Sequence, residues 1–417
     1  MYPVLVVLFP DLARAATQYR VDRLGASLAN ARSLNRTGAQ WAWESAVTGS
    51  WASPWREADF SEIHLDADIP LAQRKLFYAT NDTRALRSAW PLLNATCTFW
   101  QCVLTRADSS GPPPPGWPSG CAGKDGRGNW TARHVITPDE SSGVVNDSAY
   151  TNAAAAQTLA WCVEAAAVLG EAAPPEWAEM AAAPFLPLND TLFAGGPVHA
   201  QNAGYSGKTI NQADVALLQY PLGLDFGAAQ NERDLVYYAS KTDFAGMFTG
   251  DSSYACGFLA LGDRAAADAQ LGLAFGHISD PFFVFTETEI SRGAPPATAG
   301  TQHFVTGSGG LLQAFVFGYP GLRVARRGVL SFTAQRPVLP PLGVTRVKLR
   351  GLHLLGVALD VEYDAAQLCA VLQPGAPPGA PPLELRVPAT GQRTLLGAGA
   401  PGCVPVQPVE VAGTGFA

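Results

Sequence analysis

The segment Thr137-Pro-Asp-Glu-Ser-Ser-Gly-Val-Val-Asn-Asp-Ser-Ala-Tyr-Thr-Asn152 has residue types and a spacing that could do chemistry. A loop rich in Pro, Gly, Asp and Asn runs straight into an Ala-rich stretch. Reactive groups concentrate on loops held at the ends of packed elements. Glu140 has few charged neighbours in that loop other than Asp139. A nearby carboxylate and partial burial would raise its pKa, as a general acid requires. Left in solvent, Asp139 and Glu140 would be ordinary loop charges.

Other candidate motifs fail on their context. Gly204-Tyr-Ser-Gly-Lys-Thr209 has the end of a phosphate loop, but Asn202 stands where the first glycine should be and no strand precedes it. Gly397-Ala-Gly-Ala-Pro-Gly402 fits a dinucleotide fingerprint as a string. Pro401 and Pro405 forbid the helix that would have to follow. There is no HExxH, GxSxG or nucleophilic Cys/His signature. The seven cysteines contain no CxxC pair, which argues against a zinc site, and their odd number leaves at least one unpaired within the chain. His64 and His134 read as core or loop histidines.

The elements that must position Glu140 are mostly helical. Asp11 to Arg32 carries an apolar stripe at helical spacing. Asn152 can cap a helix over Ala153–Leu169, with Gly170 ending it. Ala265–Phe275 and Leu311–Phe317 read as further core helices. Residues 107–129, with four consecutive prolines, read as an extended surface insertion. After Gly328 the pattern becomes short, β-rich and punctuated by Gly and Pro, as in a small antiparallel β domain. Met1 to Phe9 lacks the basic start of a signal peptide and reads as a buried helix.

Composition limits the classes. The chain has 417 residues, 47% of them hydrophobic, and a formal charge of −7. It carries no electrostatic footprint for nucleic acid or anionic lipid. No apolar run is long enough to span a bilayer. Ten tryptophans supply planar faces that can stack on sugar rings, or equally fill a core. Six of the eleven asparagines begin an Asn-x-Ser/Thr triplet, namely Asn35, Asn81, Asn94, Asn129, Asn146 and Asn189. That frequency suggests a secretory, lysosomal or vacuolar history, with a cytoplasmic location as the alternative.

Six segments together resemble glycoside hydrolase family 65, in the family's order: Gln40-Trp-Ala-Trp-Glu-Ser-Ala-Val-Thr-Gly49, Glu62-Ile-His64 with Asp68-Ile69, Pro138-Asp-Glu140, Asn146-Asp-Ser-Ala-Tyr-Thr-Asn152, Gln212-Ala-Asp-Val-Ala-Leu-Leu218 and Phe304-Val-Thr-Gly-Ser-Gly-Gly-Leu-Leu-Gln313. The resemblance implies an (α/α)6 barrel over residues 1–325, missing its first helix, and a C-terminal antiparallel β-sandwich over 326–417. It implies Glu140 as general acid. Glu287, in Asp280-Pro-Phe-Phe-Val-Phe-Thr-Glu287, would be the base that activates water; as rim charges, Glu287 and Glu289 would do neither. Inversion requires such carboxyl groups to stand roughly 6.5–9.5 Å apart. Trp43 and Glu44 would form a wall and a hydroxyl acceptor for the sugar, and Gln212 would contact its hydroxyls. Asp214 reads as structural. No cofactor or metal is implied.

The implied activity is inverting hydrolysis of a terminal α-glucoside of a disaccharide or glycan. Gly143-Val-Val-Asn146 and the Thr-Glu context resemble the protein-glucosylgalactosylhydroxylysine glucosidase branch, with acid trehalase and inverting disaccharide phosphorylase as alternatives. A carboxylate at Glu287 would repel phosphate and favours water. The departures are Asn211 for the family's Lys, Ser141-Ser142 for Tyr-His after the acid, and the absence of the Trp-Asp motif expected just before Met1-Tyr-Pro3. The change after the acid bears on specificity and rate, whereas the missing Trp-Asp motif predicts a truncated chain and leaves a non-catalytic sugar-binding remnant as a different-class alternative.

Overall fold

The computed structural model describes residues 2–290 and 300–416. Met1, the start of the segment read as a buried helix, lies outside them. In chain order the helices are α1 (Tyr2–Leu8), α2 (Pro10–Asp22), α3 (Leu24–Ser33), α4 (Arg56–Ser61), α5 (Leu65–Thr80), α6 (Thr83–Val103) and α7 (Ala149–Leu169). They continue as α8 (Pro175–Ala182), α9 (Ala216–Gln219), α10 (Ala228–Ala239), α11 (Asp251–Ala260), α12 (Arg264–Ala274) and α13 (Val305–Gln313). The chain divides into two compact units, one of residues 15–74 and 83–243, the other of residues 1–14, 75–82 and 244–417.

The first unit is built on long helices. α7 is buried on almost every side, which suits its run of Ala and small residues: a helix apolar all round belongs inside. Ser148 caps it, its hydroxyl accepting from Thr151 N at 3.2 Å, and Gly170 ends it in the left-handed conformation. Asn152 is therefore not the cap. It lies in the first turn, and its carboxamide accepts from Ala132 N and donates to Thr131 Oγ1 and the Phe185 carbonyl. Cys97 and Cys162 link α6 to α7.

The stripe from Asp11 to Arg32 is not one helix but two, α2 and α3, broken at Arg23. At the break the Arg23 N–H bonds the Arg20 carbonyl, a tighter turn than the α-helix. Arg23 Nε donates to the Val47 carbonyl at 2.6 Å, and its guanidinium lies 4.9 Å from the Tyr19 ring centroid.

The insertion at 107–129 contains no regular element. Strands β1 (Thr105–Arg106) and β2 (Trp130–Thr131) pair at its base, and Cys102–Cys121 clips it. Asp108 accepts backbone N–H groups of Arg127 and Gly128, while Asp125 accepts that of Gly111. Two further short pairs follow, β3 (Val135–Ile136) with β4 (Val144–Val145), and β5 (Leu188–Asn189) with β6 (Val198–His199). The first of these encloses residues 137–143.

In the second unit α11 packs on α12 and α13, and a π-helical turn at Ala314–Gly318 continues α13. The segment read as a helix over Leu311–Phe317 spans that junction. α1 buries Val4, Val6 and Val7. After β7 (Ile278–Ser279) and β8 (Val284–Phe285), the strands are β9 (Leu322–Arg326), β10 (Val329–Phe332), β11 (Arg346–Leu354), β12 (Val357–Asp364), β13 (Gln367–Leu372), β14 (Leu383–Val387), β15 (Gln392–Leu395), β16 (Gly402–Pro405) and β17 (Val409–Gly413). They form two antiparallel sheets, ordered β15-β14-β17-β10-β9 and β11-β12-β13-β16. β12 alternates buried and half-buried residues, the pattern of a strand with one core face, whereas β10, β14 and β17 are buried on both faces. Cys369–Cys403 joins β13 to β16.

Candidate active site

The start of α5 organises a buried cluster in the first unit. Pro70 has no N–H for the Asp66 carbonyl, four residues earlier, and Trp100 Nε1 donates to that carbonyl instead at 3.3 Å. The Asp66 carboxylate accepts from Trp41 N at 2.8 Å, and Trp41 Nε1 donates to Thr96 Oγ1. Trp41 is thus pinned in the core and its neighbour Trp43 is left half-buried. The Trp43 ring meets His64 edge-on, with centroids 5.4 Å apart.

His64 is buried between carboxylates. Its Nδ1 donates to Asp68 Oδ2 at 3.2 Å, and its Nε2 lies 3.4 Å from Glu62 Oε1. Burial pushes the imidazole pKa down, but Asp68 and Glu62 outweigh burial and hold it at about 10. The ring is therefore an imidazolium at neutral pH. Tyr150, on α7, donates to Asp68 Oδ1 at 2.9 Å and meets the His64 ring edge-on.

Glu140 stands half-buried in a short 3-10 turn, Glu140–Ser142. Its pKa is raised to about 7, first by burial, then by the neighbouring Glu62 carboxylate and by Asp139, against the opposing charge of His64. The turn is held from behind. Asp139 is buried and accepts from Gln201 Nε2 at 2.9 Å, Ser141 Oγ at 2.7 Å and Asn211 N at 3.1 Å. Its own N–H donates to Asp214 Oδ2 at 3.3 Å. Burial is the main cause lifting the Asp214 pKa to about 7.

Glu287 belongs to the second unit. Its carboxylate accepts from Thr301 N at 2.9 Å, and its backbone exchanges hydrogen bonds with Phe248 and Thr301. Phe248 stacks on His277 and Phe285, with centroids 4.5 Å and 5.6 Å apart. A Cβ at Gly307 would lie 2.0 Å from the Phe248 ring, which accounts for a glycine there in the Phe304–Gln313 segment.

Of the residues predicted from sequence, Trp43 and Glu140 meet in one cluster through His64 and Glu62. Gln212 is half-buried beside it, in the segment whose Asn211 N–H holds Asp139. The Glu44 side chain is exposed. Asp214 does precede a short helix, α9, and its carboxylate braces the Glu140 turn. Glu62, His64, Asp68, Tyr150 and Gln201 were not predicted to have roles. One sequence signal could have found part of this set, since His64 and Asp68 are four apart at the start of a helix. Among the described residues no group of three or more His, Cys, Asp or Glu could hold a metal ion. A separate cleft of about 490 Å³ is lined by His199, Phe226, Gln230 and Arg233 among others, and contains none of the predicted site residues.

Residues 1–112 match the glycosyl hydrolase family 65 central catalytic domain. The chain is 33% identical over 363 residues to protein-glucosylgalactosylhydroxylysine glucosidase of Danio rerio, covering 86% of this chain and 50% of the relative. It is 31% identical over 346 residues to kojibiose hydrolase of Mucilaginibacter mallensis, covering 81% and 46%. A solved structure, a putative kojibiose phosphorylase from human microbiome, superposes with a TM-score of 0.70 at 14% identity, covering 97% of this chain and 53% of that one. The chain spans about half the length of the curated relatives it matches.

Proposed function

We propose that this chain carries the catalytic (α/α)6 barrel and the C-terminal β-sandwich of a glycosidase that hydrolyses a terminal α-glucoside with inversion. The observation that carries the reading is Glu140, a half-buried carboxyl whose pKa is lifted to about 7 by burial and by Glu62. Such a group keeps its proton near neutrality and can give it to the departing glycosidic oxygen. Glu287 is the base in this reading. It deprotonates water on the opposite face of the sugar, so the product first forms as the β-anomer. Trp43 offers the sugar an apolar face, and Glu44 and Gln212 accept or donate to its hydroxyls. Similarity to a glucosylgalactosyl-hydroxylysine glucosidase and a kojibiose hydrolase supports a glucosylated disaccharide unit as substrate.

The test is to incubate the chain with glucosyl-galactosyl-hydroxylysine, kojibiose and trehalose, with and without phosphate. Free glucose, independent of phosphate, is expected, with the β-anomer first by proton NMR. Glu140→Gln should lower kcat about 10²–10⁴-fold, the usual worth of a general acid. Glucose 1-phosphate, or no product from any of the three substrates, would overturn the reading.

A further inference from the structure

The Asn-x-Ser/Thr triplets have no part in the proposed chemistry, yet six of them crowd between residues 35 and 191. Asn35, Asn94, Asn129 and Asn146 are exposed, and Asn189 is half-buried in strand β5. The hydrogen bonds of these side chains leave room for a substituent on Nδ2. Asn146 uses its carbonyl oxygen, accepting from His134 N at 2.8 Å, and Asn189 likewise accepts from Thr191 N and Oγ1. Asn35 donates to Ser119 Oγ and Asn129 to the Pro184 carbonyl, each with one of two amide hydrogens. A substituted carboxamide keeps the oxygen and one hydrogen, so each of these bonds can survive.

Asn81 differs. It lies in the tight link between α5 and α6, is half-buried, and its Oδ1 is buried without a hydrogen-bond partner. A glycan there would have to draw the carboxamide out of its packing.

The cysteines supply an independent observation. Six of the seven are joined as Cys97–Cys162, Cys102–Cys121 and Cys369–Cys403. Chains with several structural disulfides fold in oxidising compartments, where asparagine glycosylation also takes place.

We propose that the protein is an N-glycoprotein with glycans on Asn35, Asn94, Asn129, Asn146 and Asn189, and none on Asn81. The donor is a polyprenyl-pyrophosphate-linked oligosaccharide. The asparagine Nδ2 attacks its anomeric carbon and loses one proton to a base. The Nδ2–C1 bond forms as the C1–O bond to pyrophosphate breaks, and polyprenyl pyrophosphate leaves. No group is oxidised or reduced.

The test uses protein isolated from the cells that make it. Peptide N-glycosidase in ¹⁸O-water converts each glycosylated Asn to an ¹⁸O-labelled Asp, which peptide mass spectrometry locates. Label at most of the five positions, with unmodified Asn81, is expected. Label at a minority of the five, or at Asn81, overturns the proposal.

Discussion

Glu62 has the position best suited to control Glu140. It is buried, neither of its carboxylate oxygens has a hydrogen-bond partner, and His64 stands 3.4 Å away. An ionised neighbour disfavours ionisation of Glu140, and this effect follows burial among the causes of its raised pKa. Glu62→Gln keeps the shape and removes the charge. The expected result is a fall of about one pH unit in the alkaline limb of the kcat/KM profile, with KM at acid pH little changed. An unmoved limb would show that burial alone sets the Glu140 pKa. The sequence marked Glu140 through its loop and its family motif. It gave His64 only as a core histidine, because nothing in a linear string shows that two carboxylates converge on one ring.

At the scale of elements, α7 couples the loop of Glu140 to the core, and its ends are set by local chemistry. Gly170 takes φ of 71° and ψ of 25°, and a Cβ there would meet no atom within 4 Å. The cost of Gly170→Ala is therefore backbone strain alone, about 1–2 kcal/mol. The expected outcome is a lower urea midpoint with an unchanged m-value. A wild-type midpoint would mean that the helix end is free to relax. This C-terminus was legible in the sequence because a Gly after an Ala-rich run is a local signal. The N-terminus was misplaced by four residues: Asn152 is as good a cap as Ser148 on propensity, and only its tertiary partners at Thr131, Ala132 and Phe185 decide otherwise.

For the whole molecule, several buried groups bias stability towards acid pH. Asp214 and Asp251 have pKa values raised from 3.8 to about 7, chiefly by burial, and Asp66 is raised as well. Between about pH 4 and 7 the unfolded chain loses these protons while the folded chain keeps them, so rising pH favours unfolding. His64, raised from 6.5 to about 10, adds a loss of the same sign between those values. The exposed carboxylates of Asp108, Asp125 and Asp364 are lowered by backbone hydrogen bonds and oppose this only below about pH 4. The thermal midpoint should therefore be several degrees higher at pH 5 than at pH 7, at about 2–4 °C per kcal/mol; above pH 7 the half-buried Lys124 ammonium, lowered to about 7, opposes His64. A midpoint that rises between pH 5 and pH 7 would contradict this account.

The sequence by itself determined what depends on near neighbours and on motif order. These are the buried opening helix, the Ala-rich α7 with its glycine end, the shift to strands read after Gly328, which the structure begins earlier at Leu322, the loop of Glu140 and the family resemblance. Periodicity, turn residues and short motifs are local, and a chain read in order exposes them. The tertiary structure alone decided which cysteines pair, that the α2–α3 stripe breaks at Arg23, and that Glu62, His64, Asp68 and Tyr150 form one network behind Glu140. Those outcomes depend on burial and on contacts between residues far apart in the chain, such as Tyr150 with Asp68, 82 positions away. Burial strengthens charge interactions that solvent would screen, and burial is a property of the folded chain rather than of any residue in it.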